Sequence, residues 1–153
     1  MDNTIKGMGA GLIASVVMLV LLYAKQALGI LSETDFVQLI TDAFHRLGAP
    51  PAAATGWIAL LAVGTLLWGG LFGAFNHFLP GETELGKGLW FSVFAWLVML
   101  VALLSLENVD IFADMVDWSV AGVALVLHLI FGAILGATYA SLIHVKVLQP
   151  IAH

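Results

Sequence analysis

Cysteine is absent from this chain. Disulfides, thiolate nucleophiles, Cys-ligated zinc and iron–sulfur clusters are therefore excluded. Charge is scarce: Lys and Arg total 5, Asp and Glu total 10, and together they make 10% of 153 residues. Soluble domains carry about a quarter. With a net charge of −5 there is no basic face for nucleic acid, and no such partner is expected. Gly-rich phosphate loops, HExxH, GxSxG and clustered metal-ligand motifs are also missing. Ser15, Thr65, Asn76, Ser92 and Ser141 show no base–nucleophile pairing. No catalytic residue is assigned, no enzymatic activity is expected, and no cofactor is required.

What is present is apolar: 61% of the residues are hydrophobic. A chain of this length cannot hide that much apolar surface in a soluble core. The charged residues fall into five clusters separated by uncharged stretches at 7–24, 47–81, 88–106 and 118–145. Each stretch is long enough to cross a hydrocarbon layer of about 30 Å. The pattern predicts an all-α integral membrane protein, a single transmembrane domain over 1–153. Its core is a four-helix antiparallel bundle with spans at about 4–30, 53–79, 85–106 and 117–145. The uncharged run at 7–24 exceeds a signal-peptide core, so the first span is read as retained. Trp57, Trp90 and Trp118 open their spans, where an aromatic belt is expected.

Residues 32–48 differ. Phe36, Leu39, Ile40, Ala43, Phe44 and Leu47 recur at helical spacing, and polar residues take the other side. Ser32 is the expected cap and Gly48 the expected stop. This amphipathic helix is expected in the interface, as a plain connector or as a lid or docking surface. Lys6, Lys87 and Lys146 belong to one side, Lys25 and Arg46 to the other. The balance favours cytoplasmic termini.

Lys6-Gly7 opens span one and Lys87-Gly88 opens span three. Val-Gly-Thr-Leu-Leu around Gly64 has a counterpart in Phe-Gly-Ala-Ile-Leu around Gly132. The pattern suggests a parallel repeat about an axis along the membrane normal. Small residues at four-residue spacing mark packing seams: Gly7, Gly11 and Ser15; Gly69 and Gly73; Gly132, Gly136 and Ala140. Span three offers only Gly88 and Ser92 and is expected to be more peripheral.

Five side chains are candidates for a cofactor. His128, deep in span four, can ligate haem or metal, relay a proton, contact a quinone, or sit neutral and hydrogen-bonded. His77 and His144 end spans two and four on one side and can form a bis-imidazole site. His128 and His144 are about 24 Å apart along a helix and cannot share a ligand. Trp68 and Trp96 lie inside the hydrocarbon zone, to flank a flat cofactor or simply to pack. Glu107, Asp110, Asp114 and Asp117 would share one helical face, for solvation, a cation or partner docking.

Four stretches carry a family resemblance: Lys6-Gly7-x-x-Ala10-Gly11, Lys25 to Gly29, Gly64-Thr65-Leu66-Leu67-Trp68-Gly69, and Leu127-His128-Leu129-x-Phe131-Gly132-Ala133-x-Leu135-Gly136. They resemble a family of small four-span bacterial inner-membrane proteins defined as a domain of unknown function. The resemblance implies location and span number and assigns no activity. The leading expectation is a self-associating bundle or an accessory subunit of a larger membrane complex. A small-solute or lipid channel or carrier, and a haem- or quinone-binding redox protein, are the alternatives. A visible spectrum of the purified protein tests the last: a Soret band abolished by His77→Ala or His144→Ala establishes haem, and a colourless protein removes it.

Overall fold

The computed structural model describes residues 2–29, 35–107 and 118–144. Among these are five helices and no strand: α1 (Asn3–Ala27), α2 (Phe36–Arg46), α3 (Ala53–Phe78), α4 (Glu84–Glu107) and α5 (Trp118–His144). Four of them, all but α2, are long and apolar enough to cross a membrane.

Local chemistry sets the boundaries. The Asp2 carboxylate accepts from the Thr4 amide and opens α1. At α2 the cap is Asp35, which accepts from the amides of Val37 and Gln38 at 2.9 and 3.1 Å. The helix therefore begins after the Ser32 start expected from sequence, and Ser32 itself lies outside the described residues. A carboxylate at Ncap satisfies two orphan amides at once, which explains the later start. Gly48, at φ +96°, follows the end of α2. Pro80 and Gly81, the latter at φ +131°, turn the chain between α3 and α4.

The helix α3 is not uniform. Val63–Gly69 is π-helical and Asn76–Phe78 is a 3₁₀ turn. Its first turn carries α2: a Cβ on Gly56 would stand 2.9 Å from Val37 Cγ1, so α2 rests directly on the backbone there. Thr41, 1% exposed, donates its hydroxyl to the Val37 carbonyl at 2.8 Å. Gln26 donates to Asp35, and the Lys25 ammonium lies 5.5 Å from the centre of the Phe36 ring. These contacts fasten α2 to the end of α1.

Two backbone seams hold the long helices. A Cβ on Gly11 would stand 2.6 Å from the Gly64 carbonyl oxygen, and one on Gly69 would stand 2.7 Å from the Gly7 carbonyl oxygen. Between α4 and α5, a Cβ on Gly88 would run into the Gly132 carbonyl oxygen, and one on Gly136 into the Glu84 carbonyl oxygen. Span three is the least buried long helix, at 22% against 44% for span one. It is the peripheral member expected from the sequence, and it is held chiefly by span four. It packs closely along span four, where Gly88 and Ser92 admit Gly132 and Gly136 at backbone distance.

The seams expose the internal repeat in a register different from the one the apolar letters suggest. Gly7 faces Gly69 and Gly73 as Gly88 faces Gly132 and Gly136; the Asn3 carbonyl faces Gly73 as the Glu84 carbonyl faces Gly136. Gly69, not Gly64, is thus the counterpart of Gly132. In this register Trp68-Gly69-Gly70-Leu71-Phe72-Gly73-Ala74 matches Phe131-Gly132-Ala133-Ile134-Leu135-Gly136-Ala137. Lys6, Gly7, Ala14 and Val17 to Val20 match Lys87, Gly88, Ala95 and Val98 to Val101.

The centre is filled by Ala10, Ala14, Met18, Phe72, Phe91, Phe131, Leu135 and Tyr139. Phe72 meets Phe91 and Tyr139 edge-on at 5.4 and 5.3 Å. These rings fill the space between α3 and α4, whose backbones stand further apart than those within either seam. Adding a methyl at a seam glycine should cost about 1–3 kcal/mol through overpacking. Gly136→Ala should accordingly lower the melting temperature in detergent. Gly122→Ala, where a Cβ meets nothing within 4 Å, should leave it unchanged or raise it. Equal effects at the two positions would refute the seam.

Candidate functional site

Where α3 ends and α4 begins, three polar side chains close on one another. Thr83 starts α4 by accepting the Gly86 amide on its hydroxyl at 3.1 Å. That turn places Glu84 and Lys87 on one face, three residues apart. The Lys87 ammonium lies 2.9 Å from Glu84 Oε1 and 3.3 Å from Asn76 Oδ1. The Asn76 amide donates to the other oxygen of Glu84. Asn76 is 9% exposed, brought there by the 3₁₀ turn. Cation, anion and amide each have two partners in this triangle. It sits beside Tyr139, 2% exposed, whose phenol is within electrostatic range of Glu84 and Asp2. The triangle clasps the first hairpin to the second at one end of the molecule. It has no part in the sequence-based candidate set, because Asn76 reads there as an isolated polar residue and Lys87 as a helix-end cation. The available signal was an acid–base pair at i,i+3 just beyond an Asn that ends an apolar run.

The sequence-predicted candidates are not gathered into one site. His128 is half-buried, and its Nδ1 donates to the Ala124 carbonyl at 2.8 Å, leaving Nε2 as the acceptor. His144 is exposed and engages Ala140 in the same way at 2.7 Å. His77 is exposed and meets the Phe78 ring at a tilt of 42°, with ring centres 3.7 Å apart. No hydrogen bond or ring contact joins His77 to His144. Trp96 donates its indole N–H to the Ala121 carbonyl at 3.0 Å, and Trp68 meets Phe91 edge-on at 5.9 Å. Among the described residues no group of three or more His, Asp or Glu side chains is placed to hold a metal. Glu107 ends α4; its side chain and Asp110, Asp114 and Asp117 lie outside the described residues.

Of the packing candidates, Gly7, Gly11, Gly69, Gly73, Gly132 and Gly136 lie in the seams, and Ala140 is half-buried. Ser15 is fully buried against Gly64. Its hydroxyl and that of Thr65 are the buried side-chain polar atoms without a partner among the described residues. Thr65 lies in the π-helical stretch, and a helical threonine ordinarily donates to the carbonyl one turn back.

Fold and site together define an all-helical protein with four membrane-length apolar helices and a polar clasp at one end. The chain belongs to DUF6789, a family of unknown function, whose model matches residues 1–147. No curated protein and no solved structure matches it.

The side chains of Lys87 and Glu84 are only 18% and 16% exposed. Removing one partner should therefore cost more than a surface ion pair, about 1–3 kcal/mol. Glu84→Gln and Lys87→Met should each destabilise the detergent-solubilised protein, and the double variant should lose less than the two losses combined. Additive losses in that cycle would show that the pair is not coupled.

Proposed function

We propose that this chain is a bacterial inner-membrane protein that crosses the bilayer four times as an antiparallel bundle. Residue numbers rise along α1 as they fall along its partner α3, and likewise for α4 and α5, which supports the arrangement. Large apolar residues remain exposed on the outer faces, among them Leu12, Val16 and Val20 on α1 and Phe94, Leu97 and Val101 on α4. Such continuous apolar surface suits lipid and not water. Lys6 and Lys87 fall at the same end, and the positive-inside rule supports a cytoplasmic position for that end and for both termini.

Within the membrane the protein acts without catalysis, as a self-associating bundle or as an accessory subunit of a larger membrane complex. The observation that carries this reading is the filled centre. Phe72 and Leu135 are fully buried and Phe91 and Tyr139 nearly so, along the axis a solute would have to follow. The helix α2 supplies a surface for a partner, with Gln38, Asp42, His45 and Arg46 exposed on it. A carrier for small solutes or lipids is the second reading. It is favoured by the two unpartnered hydroxyls, Ser15 and Thr65, beside a π-helical turn, a device often found at functional sites.

Gentle extraction from the native membrane tests the choice. The chain should resist carbonate extraction and migrate as a colourless particle heavier than one 16.2 kDa chain in its detergent belt, with fixed stoichiometry. A strictly monomeric particle without companions, or solute uptake abolished by Ser15→Ala, would overturn the subunit reading.

A further inference from the structure

The clasp occurs once, but the repeat provides its place twice. In the register set by the seams, Asn76 of the first copy corresponds to Tyr139 of the second, and Glu84 and Lys87 of the second correspond to Asn3 and Lys6 of the first. The lysine is kept in both copies. Its acid is kept in one: where Lys87 meets Glu84, Lys6 has the uncharged Asn3. Lys6 is nonetheless 6% exposed, more buried than any other charged residue described. No carboxylate lies within ion-pair distance of it among the described residues. Asp2, the acid nearest in sequence, is engaged in capping the Thr4 amide. Glu84 is neutralised by Lys87.

A lysine held this closely by the bundle, with no acid paired to it among the described residues, presents donors and positive charge, which a phosphate oxygen can accept. It lies at the end of α1, at the depth where lipid headgroups meet a spanning helix. We propose that the Lys6 position, with Tyr139 and Asn3 as its neighbours in the repeat, binds the phosphate of an anionic membrane phospholipid. The lipid supplies to the first copy the negative charge that Glu84 supplies to the second. The inference rests on the membrane-spanning reading above.

The experiment uses the full chain in nanodiscs of mixed phosphatidylcholine and phosphatidylglycerol, with the lipid retained after detergent exchange identified by native mass spectrometry. Retained phosphatidylglycerol should be enriched about fivefold over its bulk share, the factor one interfacial lysine supplies. Lys6→Gln should abolish the enrichment and Lys6→Arg should keep it. Lys87→Gln should lower the melting temperature and leave the enrichment in place. Equal enrichment in the wild type and Lys6→Gln overturns the proposal. Displacement of the lipid by soluble glycerol phosphate supports the phosphate site and overturns the lipid as its source. A chain released by carbonate fails the membrane reading itself; a carbonate-resistant chain with no enrichment fails only this site.

Discussion

Backbone meeting backbone is the constraint on which the rest of this structure depends. On the membrane-spanning reading, lipid surrounds these helices and there is no water to expel, so association must come from close contact. Gly11 against Gly64 and Gly69, and Gly88 against Gly132 and Gly136, bring main chains to distances that a methyl group would prevent. Once those approaches are fixed, the relative rotation of each helix pair follows. That rotation turns Ala10, Ala14 and Met18 inward and leaves Leu12, Val16 and Val20 outward. It also leaves the two hairpins standing apart along α3 and α4, and the gap is wide enough for rings. Phe72, Phe91 and Tyr139 occupy it because each offers an edge to its neighbour's face, an arrangement worth about 0.5–1.5 kcal/mol per pair beyond area alone.

The two halves carry the same seam but have diverged where symmetry is not needed. The first half inserts α2, which lies over the start of α3 and needs Gly56 to settle there. It also carries the π-helical stretch, which puts Gly64 and Gly69 against Gly11 together. The second half carries Trp96 where the first has Ser15. Trp96 reaches across to the Ala121 carbonyl, whereas Ser15 lies against Gly64 and keeps an unpartnered hydroxyl. A polar group without a partner in an apolar core costs on the order of 1–3 kcal/mol. That cost falls on the half that is π-helical, so the two departures from regularity share one place.

Much of the architecture was legible because charge and glycine are read directly from the letters. The uncharged gaps gave four apolar helices, and the four-residue glycine spacing put Gly7, Gly11, Gly132 and Gly136 on single faces. Other features were not legible, for definite reasons. Span three, with only two small residues, is the least buried span as expected, yet those two suffice to seat it on Gly132 and Gly136. The repeat register was ambiguous because Gly64 and Gly69 both lie in apolar surroundings, and only the contacts choose between them. Ser32 looked like a cap because a serine preceded the periodic run, yet Asp35 reaches two amides. The clasp was missed because its members lie in three roles at once: Asn76 ends a helix, Glu84 begins one, and Lys87 marks an interface.

The corrected register changes what the paired lysines mean. Read singly, Lys6 and Lys87 are interfacial anchors of a kind found in many spanning helices. Read as copies, they pose a question about charge. A seam that repeats Gly7 as Gly88 and Gly73 as Gly136 places Lys6 and Lys87 in equivalent surroundings. Equivalent surroundings demand equivalent compensation, since a cation withdrawn from water needs a partner. One copy meets the demand with Glu84 and Asn76 inside the chain. The other keeps the cation and has Asn3 in the place of the acid. On the membrane-spanning reading proposed above, the abundant anion at that end is the lipid headgroup, and the asymmetry between Glu84 and Asn3 becomes a difference in what each half is built to meet.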